Sequence, residues 1–220
     1  MIIKSLKLIL FCNFLGSIAN AASPSDPGIA IFDGFSSSTF SDASSSTTPS
    51  GIEIGLRATV GRNVGLFGHL DYVRCGSEDT SSGTSTSLTT DDFRAAIGFG
   101  VPVEANTKVY IEAGYDSLNS KFSSLNTYKS DGTNDGYYVG IGSVGALSSR
   151  VTAYGSLGLL SLRTTSDPER KSGPEAVAGL ALSFSPQTAL FIEAKHTALS
   201  LSSTSFSSNS FRSGIKLNFQ

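Results

Sequence analysis

Tryptophan is absent from the chain, cysteine and histidine occur twice each, and only 15% of the residues are charged. No segment is uniformly apolar over the roughly 20 residues that a spanning helix needs, which excludes a helical membrane protein. The formal charge of −2 includes no basic arm or patch, so nucleic acid is not an expected partner. No Cys/His metal spacing, phosphate-binding glycine loop or Gly-x-Ser-x-Gly motif occurs in a supporting context, and no cofactor is expected. What the chain does have is a mean hydropathy near zero with 39% hydrophobic residues. That balance arises when alternate residues of each strand face lipid and water.

The amino terminus reads as a secretory leader. Lys4 and Lys7 precede an apolar run from Leu8 to Ala19, and Ala19, Asn20 and Ala21 form a small-x-small cleavage pattern. The expected division is a signal peptide over 1–21, cut after Ala21 or Ala22, and one barrel domain over 22–220. A lipoprotein is excluded because Cys12 lies inside the apolar run, after Ile9, Leu10 and Phe11. Losing Cys12 leaves Cys75 alone, so the mature chain has no internal disulfide, and Cys75 is expected as a tolerated thiol at a strand end. A closed barrel needs no such staple, because every strand edge is hydrogen-bonded.

The carboxyl terminus carries the clearest pattern. Phe211, Ser213, Ile215, Leu217 and Phe219 alternate with Arg212, Gly214, Lys216 and Asn218, which places an apolar row on one face of a strand and a charged row on the other. The same period of two recurs in segments of about ten residues. Ile52, Ile54, Leu56, Ala58 and Val60 oppose Glu53, Gly55, Arg57 and Thr59, and Leu66, Leu70 and Tyr72 oppose Phe67, His69, Asp71 and Val73. Phe93, Ala95, Ile97, Phe99 and Val101 oppose Arg94 and a run of small residues. Further strands follow at 109–116, 137–142, 151–159, 176–184 and 190–199.

Short turns at Gly61-Arg62-Asn63, near Pro102, at Ser148-Ser149-Arg150 and at Ser185-Pro186-Gln187 alternate with Ser/Thr-rich loops at 36–50, 76–90 and 117–135 and a charged loop at 167–171. Counting Gly28–Phe35 as the weakest member gives ten strands in an all-β, antiparallel, up-and-down transmembrane β-barrel, with eight strands as the alternative. All seven prolines fall outside the predicted strand interiors, Pro174 in a loop among them. A soluble β-sandwich meets the proline test too, but does not explain the leader, the terminal aromatic and the short-long alternation together.

The stretch from Ala176 to Phe219, with its short turn, its FIEAKHTALSL strand and its final strand ending in an aromatic, resembles the small outer-membrane barrels of the OmpA-like and opacity-protein group. The resemblance extends loosely over 51–219. It implies residence in the outer membrane of a Gram-negative-type bacterium, with loops extracellular and both termini periplasmic. Implied partners are outer-membrane lipid and lipopolysaccharide, the barrel insertion machinery during assembly, and a host or environmental surface ligand. Two departures are that Gln220 follows the aromatic Phe219 and that no tryptophan is present for the interfacial girdle, a place that Tyr and Phe can fill.

Projected along the strands, Glu53, Arg57, His69, Asp71, Arg94, Glu112, Asp116, Glu193, Lys195, Arg212 and Lys216 share the inward side. Buried ions are costly unless paired, so these residues are expected to form a charge network that fills the lumen, with Gly55, Gly98, Gly100, Gly114, Gly140 and Gly214 leaving room for long side chains. A narrow conduit for ions or small solutes is the alternative. Catalysis has three candidates. His69 beside Asp71 is one, as an oriented base. His196 resembles the histidine of the lipid A deacylases, although the His-x-Ser of that family reads His196-Thr197-Ala198 here. The pair Asp91-Asp92 resembles half of the omptin protease site, but Ala194 stands where an Asp-x-His would begin. An envelope-structural or surface-interaction role without enzymatic activity is therefore the expectation.

Overall fold

The structure, a computed structural model, describes residues 27–42, 46–47, 50–61, 65–81, 84–124, 129–164, 170–200 and 204–219. The expected leader and the Arg62-Asn63 turn lie outside these residues. Ten long strands follow one another: β1 (Gly28–Asp42), β2 (Ser50–Gly61), β3 (Gly65–Ser81), β4 (Thr84–Glu104), β5 (Thr107–Ser124), β6 (Lys129–Ala146), β7 (Val151–Thr164), β8 (Arg170–Ser185), β9 (Thr188–Ser200) and β10 (Thr204–Asn218). Each pairs antiparallel with its sequence neighbours, and β10 pairs with β1 from Gly28↔Asn218 to Asp42↔Thr204, which closes the sheet. The residue pair Ser46–Thr47 folds back on Phe40 and Ser41 inside the first hairpin. Ten strands, not eight, form the barrel.

Closure has a measurable stagger. Following pairing partners from Ile29 through Ala58, Leu70, Ala95, Tyr115, Tyr137, Ser161, Ser172, Ser200 and Ser205 returns to β1 at Ser41, twelve residues further along. Such a stagger over ten strands tilts them by about 40° and gives a backbone radius of roughly 9–10 Å. Side chains from opposite walls can meet across a bore of that width.

The outer surface is apolar over a belt and then changes abruptly. Phe35 pairs with Phe211, Tyr72 with Phe93, and Tyr115 with Tyr137, and all six side chains are exposed. On every one of those strands the next outward position toward the hairpin end is polar: Ser37, Asn209, Arg74, Asp91, Ser117 and Asp135. The six rings mark one rim of the belt, as interfacial aromatics do. Tyr72 donates its hydroxyl hydrogen to Asp91 at 2.7 Å, and the Arg170 guanidinium lies over the Tyr137 ring, 5.5 Å from its centre, so two of the rings already meet charged groups.

Beyond this rim the strands continue. The segments 76–90 and 117–135, expected as loops, are ladder-paired, from Gly76↔Thr89 to Ser81↔Thr84 and from Ser117↔Asp135 to Ser123↔Lys129; β1 likewise runs to Asp42. Backbone ladders need no apolar side chains, and threonine suits a strand. The hydrophobic alternation in the sequence therefore ends where lipid ends, several residues before the strand does. Cys75 is accordingly inside β3 and not at its end; its thiol faces the Ser36 hydroxyl at 2.9 Å.

Pro174 also lies within a strand. It pairs with Leu159 of β7, and on the other side the β9 ladder skips from Glu175↔Thr197 to Ser172↔Ser200, so the missing N–H falls where no ladder partner is present. The opposite end of the barrel is held by short turns: Ala105-Asn106, Leu147–Arg150 and Pro186-Gln187. Ser148 Oγ accepts from Val151 N at 3.1 Å and Ser185 Oγ from Gln187 N at 3.2 Å, the local serine bonds that favour tight turns. Gly61 and Gly65 adopt φ of 109° and 96° at the remaining turn, a conformation that favours glycine.

Candidate functional site

The interior is layered. Nearest the short turns, aromatic rings fold inward over glycines on neighbouring strands: Phe32 against Gly55, Phe67 against Gly98 and Tyr154 against Gly179; further up β6, the Tyr138 ring lies against Gly158 of β7 and Gly140 of its own strand. A Cβ at any of these glycines would meet the ring. At Gly55, Gly98 and Gly140 the side chains given room are aromatic rings. Phe32 meets Phe191 edge-on at 6.1 Å and Phe67 meets Tyr110 at 5.7 Å, tying the layer together. Lys216 faces inward at this level, beside Gly28, Ala30 and Phe191.

Above the rings lies a layer of paired charges. Arg57 of β2 contacts Asp71 on the neighbouring β3 at 2.8 Å and reaches Glu193 of β9 at 2.9 Å. Arg212 of β10 contacts Glu53 at 2.8 Å and the same Glu193 at 3.4 Å, and Tyr154 donates to Glu193 at 3.2 Å. The second cluster spans the bore. Arg94 of β4 contacts Asp116 of β5 and forks onto both oxygens of Glu175 on β8, at 2.6 and 3.0 Å, while stacked 4.0 Å from the Tyr138 ring centre. Lys195 and the Thr197 hydroxyl add contacts to Glu175 at 3.0 and 3.3 Å. A buried carboxylate surrounded in this way keeps its charge because guanidinium, ammonium and hydroxyl groups replace the lost water.

Glu175 was not among the inward residues expected from the sequence. It is almost fully buried, yet its neighbour Pro174 and the preceding charges read as loop. The alternation Glu175, Val177, Gly179, Ala181, Ser183, all on one row, is the signal that would have found it. Asp92 was missed for a related reason. Adjacent strand residues face opposite sides, so Asp91 points outward to Tyr72 and Arg74 while Asp92 points inward to Lys195.

Toward the hairpin end the interior opens into a cavity of about 440 Å³. Glu53, Asp92, Asp116, Glu175, Lys195 and Arg212 form its floor. One wall carries Leu118, Leu160, Leu162, Leu199 and Phe206, and the other Ser36, Ser38, Cys75, Thr90 and Ser208. Among the described residues no group of three or more His, Cys, Asp or Glu side chains has the arrangement of a metal site.

A closed ten-strand barrel, apolar outside and ionic within, is a membrane architecture, and residues 8–219 match the outer membrane protein beta-barrel domain family. The chain belongs to that family. As an outer-membrane barrel of this kind, and as the resemblance to the OmpA-like and opacity-protein group implied, it resides in the outer membrane. No curated protein sequence matches it. Among solved structures it is similar to the outer membrane protease OmpT of Escherichia coli (9% identity over 92% of this chain and 100% of that one, TM-score 0.54) and to the β domain of the Bordetella autotransporter BrkA (14%, 88% and 100%, 0.51). Neisserial surface protein A is a third (12%, 87% and 97%, 0.41). Identities this low express a shared fold alone.

The three catalytic candidates do not assemble in this outer-membrane barrel. Asp91 and Asp92 are split between the two faces of β4 and cannot converge on one substrate atom. His69 Nδ1 lies 3.2 Å from Glu112, across two strand boundaries, while Asp71 is engaged by Arg57. His196 is exposed and its Nδ1 lies 2.8 Å from Asn209 Oδ1 on β10.

Proposed function

We propose that this outer-membrane barrel is a plugged, non-enzymatic envelope protein that presents its long hairpins to the exterior and serves envelope structure or surface interaction, with both termini on the periplasmic side. One observation carries the reading: guanidinium groups on one wall are held by carboxylates on the other, Arg94 to Glu175 and Arg57 to Glu193, with a layer of rings beneath them. A conducting path would have to break charge-assisted bonds that are worth more in a low-dielectric interior than in water. Lipid and lipopolysaccharide meet the apolar belt. The insertion machinery is the partner during assembly, acting on a mature chain from which the leader has been removed.

The purified full chain, inserted in a planar bilayer, is expected to give no unitary conductance steps in 1 M KCl, and Arg94→Ala or Glu112→Ala is expected to introduce leak. Stable steps in the native chain would instead support the conduit. The surface role has a separate test. Replacing the hairpins beyond the aromatic rim, 77–88 and 119–133, by two-residue turns should leave the barrel folded and reduce cell binding to host or environmental surfaces to background. Undiminished binding would remove the recognition role.

A further inference from the structure

We propose that the cavity at the hairpin end is a binding site for a small aliphatic amine, its ammonium group on Asp92 and its alkyl chain along the leucine wall. The volume of about 440 Å³ falls in the range of small-molecule sites, roughly 300–1,000 Å³, and the mixture of an apolar wall with a few convergent polar groups is how such sites are built. Leu160, Leu162 and Leu199 are buried against Tyr138 and receive Leu118 and Phe206, so the wall is fixed in place.

The charge on the floor selects the head group. Glu175 is saturated by Arg94, Lys195 and Thr197, and Glu53 by Arg212. Asp116 is taken by Arg94. Asp92 differs: its Oδ1 is buried without a hydrogen-bond partner, and Lys195 approaches Oδ2 only to 3.8 Å, beyond hydrogen-bonding reach. Lys195 and Arg212 at the floor are already committed to carboxylates, and Lys171 is a further cation in the lining, whereas Asp92 is the floor carboxylate that still requires a donor. A carboxylate short of donors next to an apolar wall fits a molecule that brings an N–H₃⁺ at one end and hydrocarbon at the other.

The probe is hexylammonium chloride, titrated calorimetrically into the folded full chain in detergent at pH 7, with a titration into empty micelles subtracted. Saturable one-to-one binding is expected, with hexanol and hexanoate at least tenfold weaker and Asp92→Asn reducing affinity at least tenfold. A second readout needs no variant. Cys75 lies in the cavity wall, and hexylammonium should slow its alkylation by N-ethylmaleimide at least fivefold, whereas hexanoate should not. Equal binding of hexanol would mean that the cavity only accepts hydrocarbon, and preference for hexanoate would assign the site to Lys171, which also lines the cavity. Either result overturns the proposal, as does absence of saturable heat; none of them bears on whether the barrel conducts.

Discussion

Arg94→Met is expected to cost about 3–5 kcal/mol, because it leaves Asp116 and Glu175, both almost fully buried, facing each other without the guanidinium that separates them. Lys195 remains on Glu175 at 3.0 Å, so the larger part of the loss should come from Asp116, for which Arg94 is the ion-pair partner. The double variant Arg94→Met, Asp116→Asn should then recover part of the loss, since the amide can stay buried without a charge. Arg94→Lys should sit between the native chain and the methionine variant: an ammonium cannot fork onto Glu175 and also reach Asp116. Denaturant unfolding of the micelle-bound barrel, followed by the gel shift between folded and boiled forms, measures all four proteins. A loss below about 1 kcal/mol for Arg94→Met would show that water from the cavity above Asp116 and Glu175 replaces the guanidinium freely.

The second large effect is on the outer face. Ile97 is 70% exposed and occupies the middle of the outward row of β4, between Phe93 at the aromatic rim and Val101 and Val103 toward the short turns. Ile97→Arg places a guanidinium near the bilayer midplane, where it costs about 2–4 kcal/mol. The same exchange at Asp91, two residues beyond Phe93 in the direction of the hairpins, lies outside the lipid and should cost only about 1 kcal/mol, for the lost Tyr72 hydrogen bond and the like charge of Arg74. That contrast between two positions six residues apart on one strand is the test, read as folding stability in lipid vesicles. Equal effects at the two sites would displace the belt from the position that the six aromatic side chains give it.

How much of this could be read in the sequence follows from which side chains the surroundings constrain. Lipid demands an apolar residue at every second position, so the outward rows of β2, β4, β5 and β10 were legible, and so was the inward phase of Arg57, Arg94, Glu112 and Arg212. The strand ends were not legible, because outside the lipid the ladder continues through serine and threonine that read equally well as loop. Glu175 was hidden by Pro174, a residue that argues against a strand unless its missing N–H falls in a gap of the ladder, as it does here. Pairing across the bore could not be read at all. That Arg94 meets Glu175 and His69 meets Glu112 depends on the stagger of twelve residues, which sums small register offsets over ten strands, and one misplaced turn would redirect every partner.

Gly28 lies opposite Asn218, so the first and last of the ten described strands are neighbours. Until β10 is in place, β1 and β9 each carry a row of unpaired N–H and C=O groups, which in lipid is a cost of several kcal/mol per group and in water an invitation to pair with another chain. β10 is thus the strand that removes both exposed edges at once, by pairing residues 28–42 with 204–218. Productive folding has to be slow and guarded, with loop closure preceding any reward from that final seam. Any truncation of the last dozen residues should therefore leave an open curl prone to aggregation, and not a slightly smaller cylinder.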